Sequence, residues 1–263
     1  MIQTLGRKHT ANNEDFLAAW QNIEQLVSYD EAAALVEATV ADILLKTAGH
    51  RVAYAWSGGK DSLALQYVCE KAGIFRCVFC TAQELEYPAF LQWVYQNQPQ
   101  GMTVIDNRNL SLRWLASNPY MLFPSDARMN IRWMERLQYA GQREYCRQQG
   151  IEFLILGRRS QDGNYLGRTG GNIYTKSNGE VRYNPISHWS HEQVMAVIHY
   201  FMGGNLPAVF YNSADGWVKG TGLWAEREYS WQEVYAVDAS VVHRAAHYIQ
   251  SAKDFLIRND YEK

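Results

Sequence analysis

Residues 57–62 read Ser-Gly-Gly-Lys-Asp-Ser. They follow a short apolar run, Arg51–Trp56, and precede Asp61–Gly73, a segment with helical spacing. A glycine pair at a strand-to-helix turn lets the backbone approach an anion closely and adopt positive φ. The unpaired N–H groups of the helix start then point at that anion, assisted by the helix macrodipole. Ser57, Ser62 and Lys60 would add hydroxyl and ammonium donors. Asp61 would repel a phosphate, so its expected roles are Mg²⁺ coordination or helix capping. The pattern is neither GxxxxGK[ST] nor GxGxxG.

Basic residues supply a second chemistry. Between Arg108 and Arg182 stand eleven Arg and one Lys against six acids, a local charge of +6 in a chain whose formal charge is −2. Arg is the better bidentate phosphate ligand. At 100° per residue, Arg128, Arg132, Arg136, Arg143 and Arg147 share an arc of about 100° with Cys146. The expectation is a basic partner face. Such surroundings would lower a thiol pKa, which makes Cys146 a candidate solvent-accessible sulfur acceptor, against the plainer reading of an incidental surface cysteine. Cys77 and Cys80 form C-x-x-C inside a predicted strand, where i and i+3 face opposite sides, and no second pair exists for zinc. His188 and His191 flank Trp189 and either border a cleft or surround a structural Trp.

The elements that position these groups alternate. Strands are predicted at 51–56, 75–80, 102–106 and 152–157, with helices at 61–73, 87–96 and 128–150 between them. That alternation predicts an α/β fold, a doubly wound parallel sheet. Asn178-Gly179 signals a hairpin over 172–184. Further helices are predicted at 12–28, at 30–48 with Asp30 as N-cap, at 190–203 and at 231–257. The expected organisation is a helical lead-in (1–50), a nucleotide-binding α/β core (51–206) and a helical C-terminal tail (207–263). The chain has 263 residues, is 47% hydrophobic and 20% charged, and holds 19 Gly and 6 Pro, which excludes disordered, collagen-like and coiled-coil classes. No apolar run is long enough for a membrane span, and four cysteines fit a reducing cytoplasm.

SGGKDS resembles the PP-loop of the ATP pyrophosphatases, the adenine nucleotide alpha-hydrolase-like superfamily. Within it the chain is most similar to the phosphoadenosine-phosphosulfate reductase family. Leu156-Gly157-Arg158-Arg159-Ser160-Gln161-Asp162 resembles that family's G-x-R-x-x-E-S anion loop, with the acidic-Ser pair altered. Asn184-Pro185-Ile186 through Val194 resembles its N-P-L-x-x-W-T-x-x-D-V segment. The likeness covers about residues 50–205. It implies ATP, with Mg²⁺, bound at Ser57, Gly58, Gly59, Lys60, Asp61, Ser62 and Gly157. It also implies cleavage between the α- and β-phosphates, with charge stabilisation by Lys60, Arg158 and Arg159. The sulfonucleotide reductases resembled here use a C-terminal Cys, and no cysteine follows Cys146. The cluster pattern of adenylylsulfate-type enzymes is also missing, so no iron–sulfur cluster is expected. The resulting expectation is an adenylating enzyme in sulfur transfer, similar to the ATP pyrophosphatase component of bacterial DNA phosphorothioation. DNA and a cysteine desulfurase would be its partners. The alternatives are a sulfonucleotide reductase with a relocated cysteine and a non-catalytic nucleotide-binding subunit.

Overall fold

A computed structural model of the chain describes residues 4–6, 10–123, 127–164, 166–167, 171–176, 179–219 and 230–261. The chain opens with helices α1 (Asn13–Gln21), α2 (Ile23–Leu26) and α3 (Tyr29–Thr47). The first is capped by an Asn12–Asp15 capping box and the third by Ser28 with Glu31. The expected cap Asp30 therefore lies inside the first turn of α3. Ser28 precedes an acidic residue by three, and the reciprocal bonds this spacing permits satisfy two orphan donors.

Next come β1 (Val52–Trp56), α4 (Lys60–Lys71), β2 (Cys77–Thr81), α5 (Pro88–Asn97) and β3 (Met102–Asp106). Helix α6 (Leu112–Ser117) leads to α7 (Ala127–Met134). A π-helical stretch, Glu135–Tyr139, joins α7 to α8 (Ala140–Gln149). Strands β4 (Phe153–Ile155), β5 (Ile173–Thr175) and β6 (Val181–Tyr183) follow, then α9 (His191–Met202), α10 (Ala208–Tyr211) and α11 (Gly216–Lys219). The expected helix at 231–257 is three helices: α12 (Ser230–Val237), α13 (Ala239–Ala246) and α14 (Gln250–Arg258). Asp238 caps the second of these by accepting from Ser240 N, so the break falls where a side chain competes for the backbone donors.

The six strands form one sheet ordered β3-β2-β1-β4-β6-β5. Strand β1 pairs in parallel with β2 and β4, and β4 with β6, whereas β5 runs antiparallel to β6. This is an α/β fold with a mainly parallel sheet and flanking helices. Strand order reverses between β1 and β4, the position where open α/β sheets present their ligand crevice. The turn after β1 and the loop after β4 both leave the sheet there.

The chain divides into two compact units, each built from separate stretches. One comprises Met1–Phe79, Gln98–Thr103 and Glu144–Thr221. In it Tyr54, Leu65, Leu154, Tyr183 and Val194–Ile198 are buried among Phe16, Ile23 and Ile43 of the lead-in helices. Each such side chain contributes on the order of 1.5–3 kcal/mol, which holds the lead-in to the core. The other comprises Cys80–Asn97, Val104–Arg143 and Gly222–Lys263. Carboxylates tie its loops: Glu84 accepts from Leu112 N at 3.0 Å and Asp106 from Gln83 N at 3.0 Å.

Candidate functional site: an anion cradle at the first strand-to-helix turn

Strand β1 ends at Trp56 and α4 begins at Lys60, so the reversal is made within three residues. Gly58 carries it at φ +71, a conformation that favours glycine. Gly59 is the helix N-cap at φ −77, so its glycine character leaves room rather than permitting a special dihedral. With no side chain at the cap, the first-turn N–H groups stay open to a ligand. Among the described residues the amides of Gly58, Gly59 and Ser62 have no hydrogen-bond partner. An anion at such a helix start gains on the order of 0.3–2 kcal/mol from the macrodipole alone.

The two serines brace the bend. Ser62 Oγ donates to Gly59 O at 2.8 Å and accepts from Ser57 N at 3.2 Å. The Ser57 hydroxyl donates to the same oxygen at 3.3 Å. The serines thus shape the loop from within.

The charged members do something other than expected. Lys60 is 4% exposed and its Nζ donates to Asp61 Oδ2 at 2.8 Å. Arg159 is fully buried. Its Nε donates to Asp61 Oδ1 at 2.6 Å, Nη1 to Trp189 O at 3.1 Å, and Nη2 to His191 Nδ1 at 2.8 Å and Asp162 Oδ2 at 3.0 Å. Since a guanidinium only donates, His191 Nδ1 accepts. A buried cation is stable only when paired in this way. Arg159 is therefore a positioning residue that locks the loop after β4 onto the start of α4. Each oxygen of Asp61 accepts from one cation, Lys60 or Arg159, which ties the start of α4 to the loop after β4.

Gly157 belongs to the same clamp. A Cβ there would stand 3.1 Å from Asp61 O and 3.2 Å from Asp61 C, so glycine lets the loop approach the α4 backbone. Arg158 is half-buried and donates to Tyr174 Oη at 3.3 Å. It is the guanidinium of this loop with solvent exposure. Gln161 accepts from His191 N at 2.9 Å and lines an open cleft of about 630 Å³ with Leu26, Leu35 and Glu192. That cleft is lined by the lead-in helices and the start of α9, not by residues 57–62.

Residues 57–62 and 157–159 thus come together. His188 is exposed, whereas His191 and Trp189 are buried in the clamp. Sequence reasoning missed Tyr211. Its hydroxyl oxygen accepts the Lys60 N–H at 2.7 Å, and no local motif marks a tyrosine 151 residues away. Burial pushes its phenol pKa up, while the Lys60 amide bond works the other way.

Cys146 departs from expectation. It is 5% exposed, its Sγ lies 3.8 Å from Glu180 Oε1, and burial, with Glu180 second, pushes the thiol up to about 12. Cys146 is therefore buried rather than solvent-accessible, and its surroundings raise the thiol pKa instead of lowering it. The wheel assumed 100° steps throughout, but the i→i+5 turns of Glu135–Tyr139 break that register. Arg128, Arg132 and Arg136 are exposed, and Arg136 lies 5.4 Å over the Trp114 ring. Arg143 pairs with Glu135, and Arg147 with Glu144 at 3.0 Å, which removes these two from the free positive charge.

No family model matches the chain, and no curated protein matches it. Among solved structures it is similar to a phosphoadenylyl-sulfate reductase from Candida auris, phosphate complex. The identity is 14%, the TM-score 0.47, and the match covers 70% of this chain and 91% of that one. It is also similar to the U34-tRNA thiolase NcsA from Methanococcus maripaludis with its [4Fe-4S] cluster. Here the identity is 13%, the TM-score 0.46, and the coverage 85% and 80%. The absence of an iron–sulfur cluster, expected from cysteine spacing, is therefore not established: the thiolase structure holds a [4Fe-4S] cluster. Among the described residues no helix is long and apolar enough to cross a membrane.

Proposed function

We propose that this chain is an ATP pyrophosphatase of the PP-loop type, adenylating an acceptor for sulfur transfer. The observation that carries the reading is the row of open amides at Gly58, Gly59 and Ser62, set at the strand-order reversal and held by a buried clamp. These donors suit the β- and γ-phosphates of ATP. An acceptor oxygen would bond to the α-phosphorus as the bond to the β-bridging oxygen breaks, and pyrophosphate would leave with the negative charge that the amides and Arg158 stabilise. Fixed donors need no reorganisation as that charge develops, which is where such a site gains rate. Incubation with ATP and Mg²⁺ alone, where water supplies the attacking oxygen, should yield AMP and pyrophosphate by phosphorus NMR. ADP and orthophosphate would refute the assignment.

The acceptor we infer is a nucleic-acid backbone, as in DNA phosphorothioation, with a cysteine desulfurase as sulfur donor. The support is Arg128, Arg132 and Arg136, exposed at i, i+4 and i+8 with no carboxylate partner among the described residues. Phosphate contacts by three arginines set a salt dependence. Replacing all three by Gln should lower the slope of log K against log salt for duplex DNA by about 2.7. An unchanged slope would remove this face from the DNA interface.

A further inference from the structure

The Lys60 amide is the first N–H inside α4, it lies between the open amides of Gly59 and Ser62, and it is occupied. Its partner is the buried hydroxyl oxygen of Tyr211, at 2.7 Å. We propose that Tyr211 is a built-in placeholder for one phosphate oxygen: in the empty site it holds the Lys60 N–H, and an arriving pyrophosphate group must displace it. This rests on the reading that residues 57–62 bind the terminal phosphates of ATP.

Three observations support it. One N–H donates one strong hydrogen bond, so Tyr211 Oη and an anion oxygen compete for it directly. The phenol is neutral at physiological pH, and burial only strengthens that, so it fills the donor without adding charge to a pocket of anion donors. And Tyr211 sits at the end of α10, one short turn, whose backbone bond from Tyr211 N runs to Pro207 O at 3.2 Å. Its ring meets Trp217 edge-on at 4.9 Å, and Trp217 in turn faces Phe16 at 6.4 Å. Phe16 meets His191 at 4.9 Å, and His191 accepts from Arg159. Displacing the hydroxyl therefore changes the surroundings of Trp217 while the Arg159 clamp stays in place.

The experiment is titration of the intact chain with inorganic pyrophosphate by calorimetry, beside Tyr211→Phe. Removing a competing hydrogen bond should tighten pyrophosphate binding roughly three- to tenfold. A purely structural tyrosine would lower the melting temperature and leave the dissociation constant unchanged; a tyrosine that donates to the ligand would weaken binding when lost. Either result overturns the placeholder, with binding by the parent chain keeping the ATP reading intact. Absence of binding by both chains overturns the two together. Should Tyr211→Phe fail to fold, the Trp fluorescence change on adding pyrophosphate replaces it. Trp56 adjoins the loop and also responds, so the change should be present in the parent chain and smaller in Trp217→Phe; an undiminished change in Trp217→Phe, or none in the parent, overturns the proposal.

Discussion

Replacing Arg159 by Met separates a clamp from a phosphate ligand. The side chain is fully buried and donates to two carboxylates, a carbonyl and an imidazole. Met matches the volume but none of the donors, so Asp162, 8% exposed, and the Trp189 carbonyl lose their charged partner. Breaking a buried pair by removing one member costs about 3–5 kcal/mol. The Asp61 share is smaller, about 1 kcal/mol, because that carboxylate is 25% exposed and retains Lys60. Against a typical total of about 5–15 kcal/mol, the variant should lose about a quarter or more of its stability. Urea unfolding at pH 7.5 measures this, and a double-mutant cycle with Asp61→Asn isolates the pair. If Arg159 instead faced phosphate, Arg159→Met would unfold within about 0.5 kcal/mol of the parent while nucleotide binding vanished. That outcome would refute the clamp.

Gly58→Ala places a side chain at φ +71, which should cost about 1 kcal/mol in stability and weaken ATP binding; unchanged binding by calorimetry would show that the bend is not the cradle. Glu86 is held by burial at a pKa of about 7 against its ordinary 4.5, with the Thr81 hydroxyl bond opposing the shift. The folded state thus keeps a proton that the unfolded state releases, so stability falls as pH rises from 4.5 to 7, by at most about 3 kcal/mol. Glu86→Gln, which retains an acceptor for Thr81, should melt higher than the parent at pH 8.5 and equally at pH 4; equal melting at both would refute the shift. The Cys146 thiol, pushed up to about 12, should resist a thiol reagent at pH 8 in the native chain while half-buried Cys80 reacts first, as peptide mass mapping would show. The same burial predicts that Cys146→Ala keeps adenylating activity, which a pyrophosphate-release assay checks.

Local information determined most of the elements. The apolar run at 52–56 is too short for a helix and too apolar for a surface strand, and the glycines at 58 and 59 mark where it must turn. Hence both the mainly parallel sheet and the turn in the candidate site were legible from residues 51–73. The capping of α3 was legible too, in Ser28 and Glu31, though Asp30 invites the wrong choice. What a residue does with its charge was not legible. Sequence shows Lys60, Asp61 and Arg159 as candidate ligands for phosphate and metal; only the fold shows that buried Lys60 and Arg159 both pair with part-exposed Asp61, as a buried charge requires a partner. The exposure of Cys146 was lost to one π-helical stretch, because a wheel carries its angle forward and a single i→i+5 turn shifts everything after it. Tyr211 reaches Lys60 across 151 positions, and no periodicity encodes such a contact. Propensity and turn chemistry act over a few residues, whereas pairing, desolvation and competition for a donor are settled only when distant segments pack.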